Sequence, residues 1–310
     1  MSPARLACLK VDVDTHDGMR LGVPRLLDAL REAGLRATFF LSFGPDNSGK
    51  AILNVVRQRG FLKKMLATGA PRLYGWRTMV SGTLLPARPV AAAFPELVRR
   101  IVAEGHEAGV HAWDHRLWQD HLEGLPDARV RAELASACDA FEAALGARPA
   151  AVAAPAWLAT RTSLRVQDGL RLLYASDMRG GPPCFPELDG YRSTTLQIPT
   201  TQPCLEELLA RGARDPAACL DAVCATPDEP LPARVFALHA EVEGGVHAPF
   251  LQQLLARLRQ DGDEIVPLRE LAQRLLRRPA DVPVVAAQLQ PLPGRAGRVL
   301  APRAVAAAHA

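Results

Sequence analysis

No stretch of this 310-residue chain approaches the roughly 20 consecutive apolar residues that a bilayer-spanning helix needs, so any membrane contact is expected to be peripheral. Met1 leads into an apolar run without a basic region, a long apolar core or a cleavage-like site. No secretory signal is read there, and a cytoplasmic location is the expectation. Aromatics make up only 5% of residues, and the net charge of +4, carried mainly by arginine, is modest. Without a concentrated basic face or stacking rings, no nucleic-acid partner is indicated. The six cysteines (Cys8, Cys138, Cys184, Cys204, Cys219 and Cys224) include no C-x-x-C pair, which argues against a structural zinc site or a thioredoxin-like motif and for reduced thiols.

What is present is core material arranged in a repeated phrase. A hydrophobic content of 48% suffices for one large α/β domain, since barrels of this class often run to roughly 250 residues. The phrase is an amphipathic helical segment, a glycine that can stop it, and a short β-rich run. Leu26 to Ala33, then Gly34, leads into Ala37 to Leu41; Phe94 to Glu104, then Gly105, leads into Ala108 to Ala112. A third instance runs from Arg129 to Leu145, with Asp127 as N-cap and Gly146 as the stop, into Ala150 to Ala153. Further β-like runs are Leu172 to Ser176, Leu196 to Ile198 and Val235 to His239. This alternation predicts a parallel sheet with helical crossovers, and periodicity leaves a doubly wound sheet and a barrel both open. The polar residues favour the barrel. Asp12 and Asp14, His111, Asp177 and His239 each close a β-like run, which gathers them on the carboxyl-end rim.

Two stretches interrupt the rhythm. Residues 44–89 form an insertion after the second strand, where apolar residues at helical spacing stand beside lysines and arginines. It reads either as a basic amphipathic element lying on an anionic membrane or as a lid helix packed on the barrel. Residues 277–310, rich in Pro, Ala, Val and Arg and without period, are expected to be a largely disordered tail outside a catalytic domain spanning 1–276.

The end-of-strand residues carry the chemistry. His111 and His115 are four apart and would share one face of a helical turn, and Asp14 adds a carboxylate, so the three can hold one divalent ion with a position open for water. Asp12 is then free to take that water's proton during attack on a carbonyl. Zinc suits this set, and manganese, cobalt, nickel or iron could also fill it. The departing amine needs an acid, for which His239 is the candidate, with Asp177 positioned to orient it and raise its pKa.

Asp12-Val13-Asp14-Thr15, His111-Ala112-Trp113-Asp114-His115, Tyr174 to Gly180 and Leu238 to Gly244 resemble, in order, the motifs of the polysaccharide deacetylase or NodB-homology family. Gly44-Pro45-Asp46-Asn47, Leu73-Tyr74-Gly75-Trp76 and Gln197-Ile198-Pro199 bring the chain nearest to that family's branch of lipid-linked formamido-sugar deformylases. The resemblance, covering about Leu6 to Leu275, implies a distorted (β/α) barrel with a helical insertion. It also implies metal-dependent deformylation of 4-deoxy-4-formamido-L-arabinose-phosphoundecaprenol, a step of lipid A aminoarabinose modification and of resistance to cationic peptides. It assigns Asp12 as base, Asp14, His111 and His115 as ligands, and His239 as acid.

One departure is that Ala154-Pro155-Ala156-Trp157 lacks the arginine by which the family's third motif tethers the base, leaving Arg161 or Arg179 as substitutes. His16 is another, read as a residue behind the ligands or facing solvent, with an additional ligand as the alternative. Arg179, Glu241, Glu243, Trp157 and Tyr74 are the candidate substrate contacts, the two glutamates reading equally as exposed loop carboxylates. With a lipid-linked substrate, Phe61, Leu62, Met65, Leu66 and Trp76 are expected to dock on the cytoplasmic face of the inner membrane, with Lys63 and Lys64 near phosphates. A de-N-acetylase of another amino sugar or oligosaccharide would use the same groups. A non-catalytic carbohydrate- or lipid-binding barrel would have lost a ligand or the acid, and none is missing.

Overall fold

The computed structural model describes residues 5–50, 78, 81–227 and 230–303. From the N-terminus run β1 (Leu6–Val13), a π-turn (Gly18–Gly22), α1 (Val23–Ala33), β2 (Thr38–Ser42), α2 (Pro95–Ala103) and β3 (Glu107–Ala112). Then come α3 (His115–His121), α4 (Asp127–Leu145), β4 (Ala151–Val152), α5 (Arg161–Gly169), β5 (Tyr174–Ala175), β6 (Phe185–Leu188) and β7 (Tyr191–Arg192). The remainder holds α6 (Leu205–Ala210), α7 (Pro216–Cys224), β8 (Ala233–His239), α8 (Ala248–Gln260), β9 (Glu264–Ile265), α9 (Leu268–Leu275), β10 (Val284–Pro291) and β11 (Arg298–Pro302).

Seven parallel strands form the main sheet in the order β5-β4-β3-β2-β1-β8, with β9 beside the start of β1. Its helices stop where glycine permits: Gly34 (φ 67°) and Gly146 (φ 75°) take the left-handed conformation that frees the chain to turn back. Strand periodicity divides the core in two. Ala7, Leu9, Val11 and Val13 of β1 face the helices with Phe39, Leu41 and Leu254, whereas Cys8 faces the interior with Phe40, Tyr174 and Val235. Lys10 and Asp12 continue the row that Cys8 begins, and both are buried.

The ring between the sheet edges is completed without a regular strand. Ala175 at one edge exchanges hydrogen bonds with Leu196 and Ile198, and Val235 of β8 accepts from the amides of Thr201 and Gln202. This bent segment distorts the barrel.

The C-terminal stretch departs from the expected disordered tail. β10 pairs antiparallel with β11 and parallel with β6, and β7 completes a four-stranded sheet that buries Ala287, Val299, Leu300 and Ala301. Its stabilising partner lies far back in the chain, so no local period announces it. The described base of the insertion is tied down where Pro45 bridges Pro89 and Asp46 N–H donates to Arg88 O. Tyr74 and the proposed membrane residues Phe61, Leu62, Lys63, Lys64, Met65, Leu66 and Trp76 lie outside the described residues. All six cysteines are buried and unpaired.

Candidate active site

Asp14 follows the end of β1, His111 lies near the end of β3 and His115 opens α3, so the two histidines straddle a strand and a helix start rather than sharing a helical turn. Asp114 makes that junction. Its side chain caps α3 by accepting from the amides of Arg116 (3.1 Å) and Leu117 (3.0 Å). His111 Nε2 lies 3.2 Å from Asp14 Oδ1, and His115 Nε2 lies 3.4 Å from Asp14 Oδ2. One donor atom from each of the three residues lies within 4.8 Å of the others, and metal–ligand bonds of about 2.0–2.2 Å set ligand atoms roughly 3.3–3.5 Å apart, so the set could close on a divalent ion with small adjustment. Asp14 Oδ1 accepts no hydrogen bond although it is buried, as an oxygen reserved for a cation would be.

The protonation of the triad also suits a ligand role. His111 Nδ1 lies 2.7 Å from Ala153 O, which places its proton there and leaves Nε2 with a lone pair facing Asp14. Burial outweighs the Asp14 charge and pushes the His115 imidazole down to about 3, so it is neutral at physiological pH. Burial would raise Asp14, but His115 and His111 hold its carboxyl well below the usual range.

Asp12 stands beside the triad without joining it. Its Oδ1 has no hydrogen-bond partner, and its Oδ2 lies 3.4 Å from Lys10 Nζ. That ammonium is fully buried, donates to Ser176 O at 3.1 Å, and sits 5.1 Å from the Trp157 ring centroid and 5.4 Å from that of Phe40. Asp12 therefore has a cationic neighbour, but it is neither of those expected. Arg179 is consumed by Glu207 (2.6 Å) and by the carbonyls of Gln202 (2.7 Å) and Thr200 (3.3 Å), and Arg161 is exposed. The sequence signal was a lysine two residues before Asp12 on the same strand face.

His239 ends β8 in register with Asp12. Its Nδ1 approaches Glu206 Oε2 to 2.8 Å, at an angle outside hydrogen-bond geometry. Burial alone would lower this imidazole's pKa, yet Glu206 raises it well above the ordinary histidine value. Asp177 is not its partner. It accepts from Ala154 N (2.6 Å), Gln167 Nε2 (2.7 Å) and Gln197 Nε2 (3.2 Å), fastening β4 and β5 to the closing segment. Glu206 follows Leu205, the first residue of α6, where no β-like run precedes it, so strand-end reasoning could not select it.

The remaining candidates brace the site. Glu241 is buried and its Oε1 accepts from Thr15 N (2.7 Å), Thr15 Oγ1 (2.8 Å) and Asp14 N (2.9 Å), while Glu243 accepts from His239 N (2.8 Å). Both are buried, so neither is an exposed loop carboxylate. Trp157 is buried and donates from Nε1 to Thr200 Oγ1 at 2.9 Å, with its ring edge-on to His239 at 6.2 Å. His16 stays outside the triad, its Nδ1 2.7 Å from Pro89 O and its amide donating to Asp46.

A parallel (β/α) barrel with a His-His-Asp triad, a free carboxylate and an acidic imidazole at one rim defines a class, the amide hydrolases of the deacetylase type. Residues 13–174 match the polysaccharide deacetylase family, and the chain belongs to it. It is 34% identical over 263 residues to the probable 4-deoxy-4-formamido-L-arabinose-phosphoundecaprenol deformylase ArnD of Shewanella sediminis (strain HAW-EB3), covering 85% of this chain and 84% of the relative. The protein of the same description from Wigglesworthia glossinidia brevipalpis is 25% identical, over 90% of this chain and 96% of its own. Among solved structures, a putative polysaccharide deacetylase from Mycobacterium smegmatis superposes with a TM-score of 0.59 at 16% identity, covering 94% of this chain and 96% of that one. Peptidoglycan deacetylase PdaC from Bacillus subtilis gives 0.51 at 15%, covering 90% and 96%. These two likenesses speak to the fold. Family membership makes the protein a hydrolase of amide bonds.

Proposed function

We propose that the protein removes the formyl group from 4-deoxy-4-formamido-L-arabinose-phosphoundecaprenol, releasing formate and a free sugar amine. The observation that carries this reading is the convergence of the triad, uncoordinated Asp12 and the His239–Glu206 pair at one rim, in a chain whose curated relatives bear that substrate in their names. Asp14, His111 and His115 would hold a divalent ion, which when bound supplies charge to acidify water and polarise the formyl carbonyl. Asp12 accepts the proton of the attacking water, with Lys10 Nζ 3.4 Å from its Oδ2. His239, held protonated by Glu206, donates to the nitrogen as the carbon–nitrogen bond breaks. Glu241 fixes the backbone of Asp14, and Glu243 that of His239, so ligand and acid keep their separation.

The rest of the proposal follows from the lipid carrier. The apolar and lysine residues of the insertion dock the enzyme on the cytoplasmic face of the inner membrane, where the freed amine adds positive charge to a precursor of lipid A modification. A second reading, de-N-acetylation of another amino sugar, is favoured by the family's name and by deacetylases of the same fold. Formate release from the formamido-arabinose lipid is expected with zinc, manganese, cobalt or nickel added to chelator-treated protein. Faster acetate release from the matching acetamido lipid would overturn the deformylase reading.

A further inference from the structure

We propose that the β10–β11 hairpin carries a recognition residue, Arg295, which binds a phosphate oxygen of the substrate beside the reacting sugar. This rests on the amide-hydrolase reading above and adds a specificity determinant from a segment outside the matched family region, residues 13–174. The hairpin turn is held in place on both sides of the site. Gly294, at φ +89°, packs so closely on α6 that a Cβ would come within 2.4 Å of Glu207 O. Arg179 N–H donates to Leu300 O at 2.8 Å, and Arg298 pairs with Glu123 beyond α3.

This anchoring lays the Arg295 guanidinium 4.4 Å from the centroid of the Trp157 ring, the same ring whose plane meets His239 edge-on. Its charge also interacts with Glu206 and Asp14 of the site. Arg179 lies 4.9 Å from that ring, so two guanidinium groups share one aromatic residue and one nearby carboxylate, Glu207. They do not share it equally. Arg179 takes Glu207 Oε2 at 2.6 Å, whereas Arg295 stands 3.6 Å from Oε1, and that oxygen makes no hydrogen bond. Among the described residues the Arg295 side chain makes no hydrogen bond, although it remains only 17% exposed. A guanidinium that cannot deprotonate, presents five N–H groups and is fixed by stacking is matched by a ligand oxyanion, and a phosphodiester accepts two of those bonds in parallel. A neutral glycan would offer the guanidinium N–H groups no oxyanion for such a parallel pair.

The test compares two soluble substrates, a formamido-arabinose 1-(alkyl phosphate) and the corresponding uncharged alkyl glycoside, on the metal-loaded full chain. Wild type is expected to prefer the phosphodiester in kcat/KM, and Arg295→Gln to reduce that preference by about tenfold to a hundredfold, the scale of a charge-assisted contact, through KM. Arg295→Lys, which keeps the charge without the fork, should restore part of it and covers the case in which the glutamine variant folds poorly. Equal losses on both substrates, or an unchanged preference, would overturn the proposal. Phosphatidylglycerol vesicles separate the two sources of phosphate: R295Q should sediment with them like wild type, and loss of sedimentation with the preference intact would assign the arginine to lipid headgroups instead. Wild type inactive on both substrates would sink the hydrolase reading itself, and titration of the deformylated alkyl phosphate into wild type and R295Q then still decides whether Arg295 binds it.

Discussion

Lys10 is a lysine where strand alternation asks for an apolar residue. Its burial is tolerable because Asp12, the Ser176 carbonyl and two rings compensate the charge. Lys10→Met should leave Asp12 buried without its cation, costing about 3–5 kcal/mol of stability, and should lower kcat far more than KM. Lys10→Arg should recover part of the turnover while Lys10→Met retains bound metal; calorimetry, metal analysis and steady-state kinetics check the set. Glu206 acts on the opposite group. Because it raises His239 above the ordinary histidine pKa, the acid form persists as pH rises, and activity is lost only when pH passes that elevated value. Glu206→Gln should therefore move the alkaline limb of the kcat profile to lower pH, whereas Asp177→Asn should not move it, since Asp177 is spent on Ala154, Gln167 and Gln197. At this scale the sequence exposed Asp12, Asp14, His111 and His239 because each closes an apolar run, and His115 through its spacing from His111. It hid Glu206 and misdirected Asp177, since side-chain direction beyond a strand end depends on which loop packs against it.

Among elements, the C-terminal hairpin contributes most that the sequence did not announce. Deleting residues 284–303 should uncover Met178, Cys184 and Leu188, which pack with Ala287 and Leu300, and remove Val299 and Ala301 from Trp157. With about 1.5–3 kcal/mol for each fully buried large apolar side chain and about 2–4 °C per kcal/mol at this chain length, the melting temperature should fall by several degrees or more. A truncated protein that melts like the full chain would contradict this packing. The helix–glycine–strand phrases were legible because amphipathic period and stop residue are local. β4, β5 and the start of the closing segment were legible as β-like runs, but their trimming to two-residue strands and the irregular pairing at Leu196–Gln202 were not, because those hydrogen bonds are set by neighbours distant in sequence.

For the whole molecule, a divalent ion held by Asp14, His111 and His115 would couple its binding to folding. His115 is held neutral and Asp14 ionised, so the folded chain presents ligands without first releasing protons from them. Adding a divalent ion to chelator-stripped protein should raise the melting temperature, by the equivalent of about 2.7 kcal/mol at a hundred times Kd. Asp14→Asn should abolish that rise, whereas Asp12→Asn should keep it and lose turnover. A rise of equal size in Asp14→Asn would place the ion elsewhere.

The chain by itself determined the alternation of strands and helices and placed Asp12, Asp14, His111 and His239 at strand ends, because strand period and strand ends are one-dimensional properties. Only the tertiary structure decided which charges face them. Lys10 stands beside Asp12 in the buried interior, Glu206 reaches His239 from a helix, Glu241 holds the Asp14 backbone, and Arg295 arrives from a hairpin that local periodicity left without structure. Electrostatic partnership depends on distance in space and on the low dielectric of a closed core, and neither exists until the chain has folded.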